Sequence, residues 1–208
     1  MKITRCFQSC LLVEEGSARI LIDPSDEEAK RYDSFGKLDA VLYTHQHADH
    51  FDADLAQKFA AAGVPIYANA STAKFCKTAP SISENGEEYD IAGVKIKAIE
   101  LPHCLMPNGS AGPQNTGYLV DNTFFDPGDG VSLKGLQVDH LALPITGPDV
   151  SMKDAFLFAK QLGVKVAIPV HYDKLGADPE VYAIFAGYFP DDFAFTIKPL
   201  SIGESTEI

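Results

Sequence analysis

The stretch "DAVLYTHQHADHF", residues 39–51, constrains this chain more than any other. An apolar run of strand length, Ala40 to Tyr43, leads directly into His45, His47, Asp49 and His50. Imidazole and carboxylate are the common ligands of zinc and related ions. Side chains alternate along a strand, so a His-x-His at its end can aim both rings the same way. The turn that follows can then present Asp49 and His50 to a neighbouring point. One short loop can serve two adjacent ions in this way, but it completes the ligand set of neither. The fold must therefore bring further ligands from distant parts of the chain.

Three residues are placed to do so. His103, Asp129 and His171 each follow a predicted strand, so five of the six histidines fall at strand ends. In a fold of packed sheets such ends can meet at one edge. Asp126 competes with Asp129 within "FFDPGDG", and spacing alone leaves both open. His140, inside "VDHLALP", reads as a structural histidine. Asp23, closing "ILID", either orients an imidazole from behind or turns the chain before Pro24. Thr44 and Tyr172 stand beside ligand candidates and are read as assisting them. Cys104, beside His103, reads as a small packed residue rather than a nucleophile.

The remaining pattern supports sheets. The first forty residues read as strands, with "ITRCFQSCLLVEE" and "ARILIDP" forming a hairpin about Gly16-Ser17. Asp52 is an N-cap for a helix "ADLAQKFAAA" that ends at Gly63, with Leu55, Phe59 and Ala62 on its buried face. "VPIYAN" is a strand and "STAKFC" a short helix. "EEYDIAGVKIKAIEL" turns at Ala92-Gly93 and leads to His103. "CLMPNGSAGPQNTG" is a loop, and "YLVDNTFFDPGDG" holds two strands about Asp121-Asn122. "VDHLALPI" is a strand. Ser151, with Asp154 as its capping-box partner, opens a helix that ends at Gly163. "VKVAIPV" delivers His171, and a helix around 179–189 and a strand "FAFTIKPL" close the chain. No tandem repeat, linker or low-complexity tract interrupts residues 1–208, which read as one compact domain. Runs of strand with few helices between them predict sheet packed on sheet, helices outside.

Composition narrows the function. Of 208 residues 46% are apolar, enough to fill a core, and the net charge is −12. A field of that sign repels phosphate backbones, and no run of Lys and Arg offsets it, so nucleic acid is not an expected partner. No apolar run approaches the roughly 18 residues of a membrane span, and no membrane partner is expected. The N-terminus lacks the apolar core and cleavage site of a signal peptide, which predicts a cytoplasmic protein with its four cysteines reduced. The expected partner is a small-molecule substrate. The sequence leaves self-association open.

Taken together, the motifs resemble the metallo-β-lactamase superfamily of metal-dependent hydrolases. Its H-x-H-x-D-H signature follows a strand, and "HQHADH" meets every position. "LPHC", "DPGDG" and "IPVHYD" resemble its later motifs, and the second of these selects Asp129 over Asp126. The closest branch is the small one of ascorbate-6-phosphate lactonase-like proteins. That branch usually carries a Gly-His-Ser-like triplet where this chain has Phe7-Gln8-Ser9. The resemblance implies an α+β fold, a four-layer αβ/βα sandwich of two mixed sheets with the site at one edge. It implies that His45, His47 and His103 bind one divalent ion and Asp49, His50 and His171 a second. Asp129 and a water or hydroxide would bridge them. Zn²⁺ is the first expectation, with Mn²⁺ and Fe²⁺ compatible with the same donors. The implied activity is hydrolysis of a small, anionic ester, lactone, thioester or phosphodiester, with Asp49 and Asp129 as the catalytic carboxylates.

Other classes share the fold. A flavodiiron-type redox enzyme usually has Glu where this chain has His47, and carries a flavodoxin domain absent from this sequence. A persulfide dioxygenase would use one iron and lack some second-site ligands. A nuclease would add an RNA-binding arm or domain. The complete ligand set argues against a non-catalytic sensor.

Overall fold

A computed structural model describes residues 1–208 and resolves them into two seven-stranded sheets. The first contains β1 (Lys2–Arg5), β2 (Leu11–Glu15), β3 (Ala18–Ile22), β4 (Ala40–Tyr43), β5 (Ile66–Ala68) and β6 (Ser81–Ile82), side by side in that order. The second contains β7 (Glu88–Ile91), β8 (Val94–Glu100), β9 (Thr116–Val120), β10 (Phe124–Asp126), β11 (His140–Pro144), β12 (Val166–Val170) and β13 (Thr196–Ile197), again in sequence order. The last strand, β14 (Ser205–Glu207), returns to the first sheet and pairs antiparallel with β1, Lys2 facing Glu207. Five helices join them: α1 (Asp26–Ala29), α2 (Ala53–Ala61), α3 (Ala70–Ala73), α4 (Met152–Gln161) and α5 (Pro179–Tyr188).

Alternation along the strands builds the layers. In β3 and β4, Ile20, Ile22, Ala40 and Leu42 face the core between the sheets. Leu21, Val41 and Tyr43 face the opposite way and pack with Leu55, Ala56 and Phe59 of α2. In the second sheet Phe124, Ala142 and Ile168 point inward, while Phe125, Leu141 and Leu143 pack with Phe158 of α4 and Ala186 of α5. A strand buried on both faces reads as a continuous apolar run, which is why "AVLY" shows no alternation. Truncating such a residue, Leu42→Ala for example, costs about 2–5 kcal/mol. The result is the expected four layers, helix, sheet, sheet, helix.

Strand direction places the site. β3, β4 and β5 are parallel. β8 and β10 both run antiparallel to β9, and β10, β11 and β12 are parallel, so β8, β10 and β12 point the same way. The segments that leave the C-terminal ends of β4, β8, β10 and β12 carry the ligand candidates to one edge.

Several local expectations are corrected. The first forty residues are not all strand: α1 and a 3₁₀ turn at Tyr32–Phe35 interrupt them. Ser25 opens α1 in a capping box with Glu28, a signal present in "SDEE". "ITRCFQSCLLVEE" is two strands about a tight turn at residues 6–10, not one. Asp52 does cap α2, accepting from Leu55 N at 2.6 Å, but Ala62 is exposed and Ala56 takes its place in the core. The closing strand shrinks to Thr196–Ile197. No helix is long and apolar enough to cross a membrane.

Candidate metal centre

All seven predicted ligands converge. His45, His47, His103 and Asp129 offer ligand atoms within 4.8 Å of one another, and so, as a second group, do Asp49, His50 and His171. His47 Nδ1 lies 3.1 Å from His45 Nε2 and 3.2 Å from His103 Nε2. Asp129 reaches both groups. Its Oδ2 is 3.3 Å from His103 Nε2 and 3.3 Å from His171 Nε2, and its Oδ1 is 3.1 Å from His50 Nε2. Asp49 Oδ2 is 3.1 Å from His171 Nε2. Asp126 lies outside both groups; its Oδ1 accepts from Gly128 N at 3.0 Å, which steadies the turn that delivers Asp129.

The loop after β4 is folded by its own backbone. His50 N and Phe51 N both donate to His47 O at 2.9 Å, and Phe51 packs edge-on against Tyr43. Behind the loop stands Asp23, completely buried and with a positive φ of 50°. Its Oδ1 accepts from Thr44 N at 2.7 Å; its Oδ2 accepts from Thr44 Oγ1 at 2.6 Å and from His50 Nδ1 at 2.7 Å. Asp23 therefore does both things its sequence position allowed, turning the chain and orienting an imidazole. Thr44 assists as expected. Tyr172 does not: its hydroxyl donates to Leu200 O and its ring lies under Arg5. His140 lies outside both groups. Cys104 is buried, and burial, with Asp129 adding to it, pushes its thiol up to about 12, which suits packing and not nucleophilic attack.

Several contributors lie outside the predicted ligand set, and of these only Gln8 and Ser9 fall at a position the sequence singled out. Asn115 donates to Pro127 O at 2.9 Å and to Leu101 O at 3.4 Å, tying the Asp129 turn to the His103 segment. A Cβ at Gly112 would come within 2.4 Å of His103 Nδ1, so the ring seats only against a glycine. Gln8 donates to Asp49 Oδ2 at 3.2 Å. Ser9 Oγ lies 3.5 Å from His50 Nε2.

The donor set fits cations. His103 Nδ1 donates to Cys104 O at 2.6 Å and His171 Nδ1 to Thr146 O at 2.7 Å. Thr44 Oγ1 spends its hydrogen on Asp23, so it accepts from His45 Nδ1, 3.0 Å away. The protons of these three rings are thus on their outer nitrogens, and three bare Nε2 lone pairs face a carboxylate. Lone pairs aimed at one another repel unless a cation stands between them. Asp129 Oδ1 is buried and finds no well-aligned donor.

The titration pattern agrees. Burial, reinforced by the His50 charge, pushes His45 well below the usual histidine range, and burial with His103 lowers His47. Burial also opposes charge on His50, but Asp129 and Asp23, one at each ring nitrogen, outweigh it and raise its pKa well above the ordinary value. Burial would raise Asp49 and Asp129 too, yet the surrounding histidines hold both below the usual carboxylate range. Two ionised carboxylates among imidazoles form a site of N and O donors suited to Zn²⁺, Mn²⁺ or Fe²⁺.

Known proteins resemble this chain in sequence and in fold. Residues 2–171 match the beta-lactamase superfamily domain. A UPF0173 metal-dependent hydrolase of Pyrococcus horikoshii is 30% identical over 196 residues, covering 83% of this chain and 87% of that protein. The solved structure of Igni18, a metallo hydrolase from Ignicoccus hospitalis, superposes with a TM-score of 0.78 at 20% identity, over 100% of this chain and 98% of that one. YhfI of Bacillus subtilis, a metallo-beta-lactamase fold protein, gives 0.71 at 15% identity over 99% and 98% of the two chains. The two sheets are thus the metallo-β-lactamase fold, and the chain belongs to the metallo-β-lactamase superfamily and, within it, to the UPF0173 metal-dependent hydrolase family.

Proposed function

We propose that this chain is a metal-dependent hydrolase that cleaves a small anionic ester, lactone, thioester or phosphodiester with water activated between two divalent ions. The observation that carries this reading is the convergence of seven ligand-type side chains, with three imidazoles turned lone-pair inward toward Asp129. The Pyrococcus horikoshii relative, described as a metal-dependent hydrolase, supports it.

His45, His47 and His103 would hold one ion, Asp49, His50 and His171 the other, and Asp129 would reach both. Zinc is the first candidate. The chemistry such ions supply when bound is a nucleophile at neutral pH, the pKa of water falling from about 16 towards 7, and polarisation of the substrate oxygen. The protein's part is to fix the rings through Asp23, Thr44, Cys104 O and Thr146 O, so that little reorganises during reaction. Asp49 keeps 26% of its side chain exposed while Asp129 keeps 5%, so Asp49 is the carboxylate able to exchange a proton with solvent.

Two dications against Asp49 and Asp129 leave a positive centre, which favours an anionic group or a developing oxyanion. Two clefts flank the His103 segment, of about 540 and 460 Å³. They carry Glu100 in one and Asp149 and Asp154 in the other, with no Lys or Arg. The substrate's anionic group therefore belongs at the metals and its neutral part in a cleft. A compact lactone or ester, as in the lactonase-like branch, meets both demands. Four free cysteines, three of them buried, suit a reducing cytoplasm.

The test is a screen of protein loaded with Zn²⁺, Mn²⁺ or Fe²⁺ against esters, lactones, thioesters and phosphodiesters. Turnover that chelation removes and metal restores is expected. Oxygen consumption by the iron-loaded protein, with no hydrolysis in any arm, would overturn the reading in favour of redox chemistry.

A further inference from the structure

Gln8 is completely buried in the turn between β1 and β2, at a positive φ of 56°. All four of its polar groups are committed to the second ligand group or the segment behind it. Its N–H donates to Asp173 Oδ2 at 2.7 Å, and its carbonyl accepts from His171 N at 3.0 Å. Its Oε1 accepts from Lys174 N at 3.0 Å, and its Nε2 donates to Asp49 Oδ2 at 3.2 Å. The orientation of the amide follows from chemistry: Lys174 N–H can only donate, so the oxygen faces it and the NH₂ must face Asp49. Asp173 is itself held by the buried guanidinium of Arg5. His171 also stands at a positive φ, 63°, and its N–H is spent on Gln8 O. One side chain of the first sheet thus grips Asp49 and, through its backbone, the His171 segment of the second sheet. None of its contacts reaches His45, His47 or His103.

We infer that Gln8 is a positioning residue that sets the protein's grip on the second ion by fixing Asp49 against His171, without acting on the first. The inference rests on the two-ion reading above. An amide suits this role because its NH₂ has no lone pair to offer a metal. It donates to Asp49 Oδ2, the oxygen that lies 3.1 Å from His171 Nε2, and so holds that oxygen on the His171 side of the site.

The experiment is stepwise titration of metal-free wild type and Gln8→Met with Zn²⁺ against a chelator of known affinity, and with Co²⁺ followed by its absorption spectrum. Methionine keeps the length and loses both hydrogen bonds. The first ion should bind as in wild type and the second about 10- to 100-fold more weakly, the usual cost of losing a group that orients a ligand. A purely structural role would lower the melting temperature and leave both affinities unchanged, and that result overturns the inference. If Gln8→Met does not fold, Gln8→Asn, one methylene short of Asp49, takes its place with the same expected and contrary outcomes. Wild type that binds no second ion would overturn the two-ion reading itself; wild type with two ions and a variant that binds both equally well overturns only the role of Gln8.

Discussion

Asp23 Oδ2 accepts a hydrogen bond from His50 Nδ1 at 2.7 Å, and neither residue is exposed to solvent. The same oxygen accepts from Thr44 Oγ1, which in turn accepts from His45 Nδ1. One carboxylate therefore orients a ring in each ligand group, and the two groups are coupled behind the site as well as across Asp129.

Asp23→Ala should accordingly weaken both ions, by about 10- to 100-fold each. It also leaves Thr44 N buried without an acceptor, a loss of about 1–3 kcal/mol in stability. Metal titration and chemical denaturation measure the two effects separately. Weakening confined to one ion would contradict the coupling.

Single ligand replacements should divide differently. His47→Ala removes a ring from the first group only, so one ion should be lost and one kept. Asp129→Ala removes the carboxylate that touches both groups and should lower the occupancy of both. Hydrolysis should fall to background in each variant, with the fold retained by circular dichroism. Full activity in either would contradict the assigned roles.

Asp126 gives a pH-dependent stability. Burial, with Asp23 adding to it, raises its pKa to about 8 from an ordinary 3.8, and its Oδ2 has no partner. Between those values the folded state holds a proton that the unfolded state has released, so stability falls as pH rises from about 4 to 8. Asp126→Asn keeps the oxygen that accepts from Gly128 N and cannot ionise. Its advantage over wild type should grow across that window in chelator-treated protein, measured by denaturation at pH 5 and pH 8. A constant difference would contradict the assignment.

What the sequence revealed follows the range of the interactions. "HQHADH" is legible because four candidate ligands and the strand before them are neighbours in the chain. His103, Asp129 and His171 are individually ordinary; position after a strand and likeness to known motifs singled them out, and the strand directions explain why they meet. Spacing could not separate Asp129 from Asp126, because the difference lies in which way a turn at Gly128 points the carboxylate. Gln8, Asn115 and Gly112 act across more than one element, and nothing local marks them beyond an unusual Gln8 and a glycine-rich loop. The strands missed, β6 and β14, are two and three residues long and owe their existence to a partner strand rather than to their own pattern. Ser25 and Glu28 were readable as a capping box, but a strand-rich setting hid a four-residue helix.

The most direct measurement is the metal content of the folded wild-type chain after reconstitution with Zn²⁺, Mn²⁺ or Fe²⁺, counted by elemental analysis against protein concentration. The two ligand groups predict about two ions per chain, removed by a strong chelator and regained on dialysis. A chain that binds no ion under any of the three conditions would contradict the central claim.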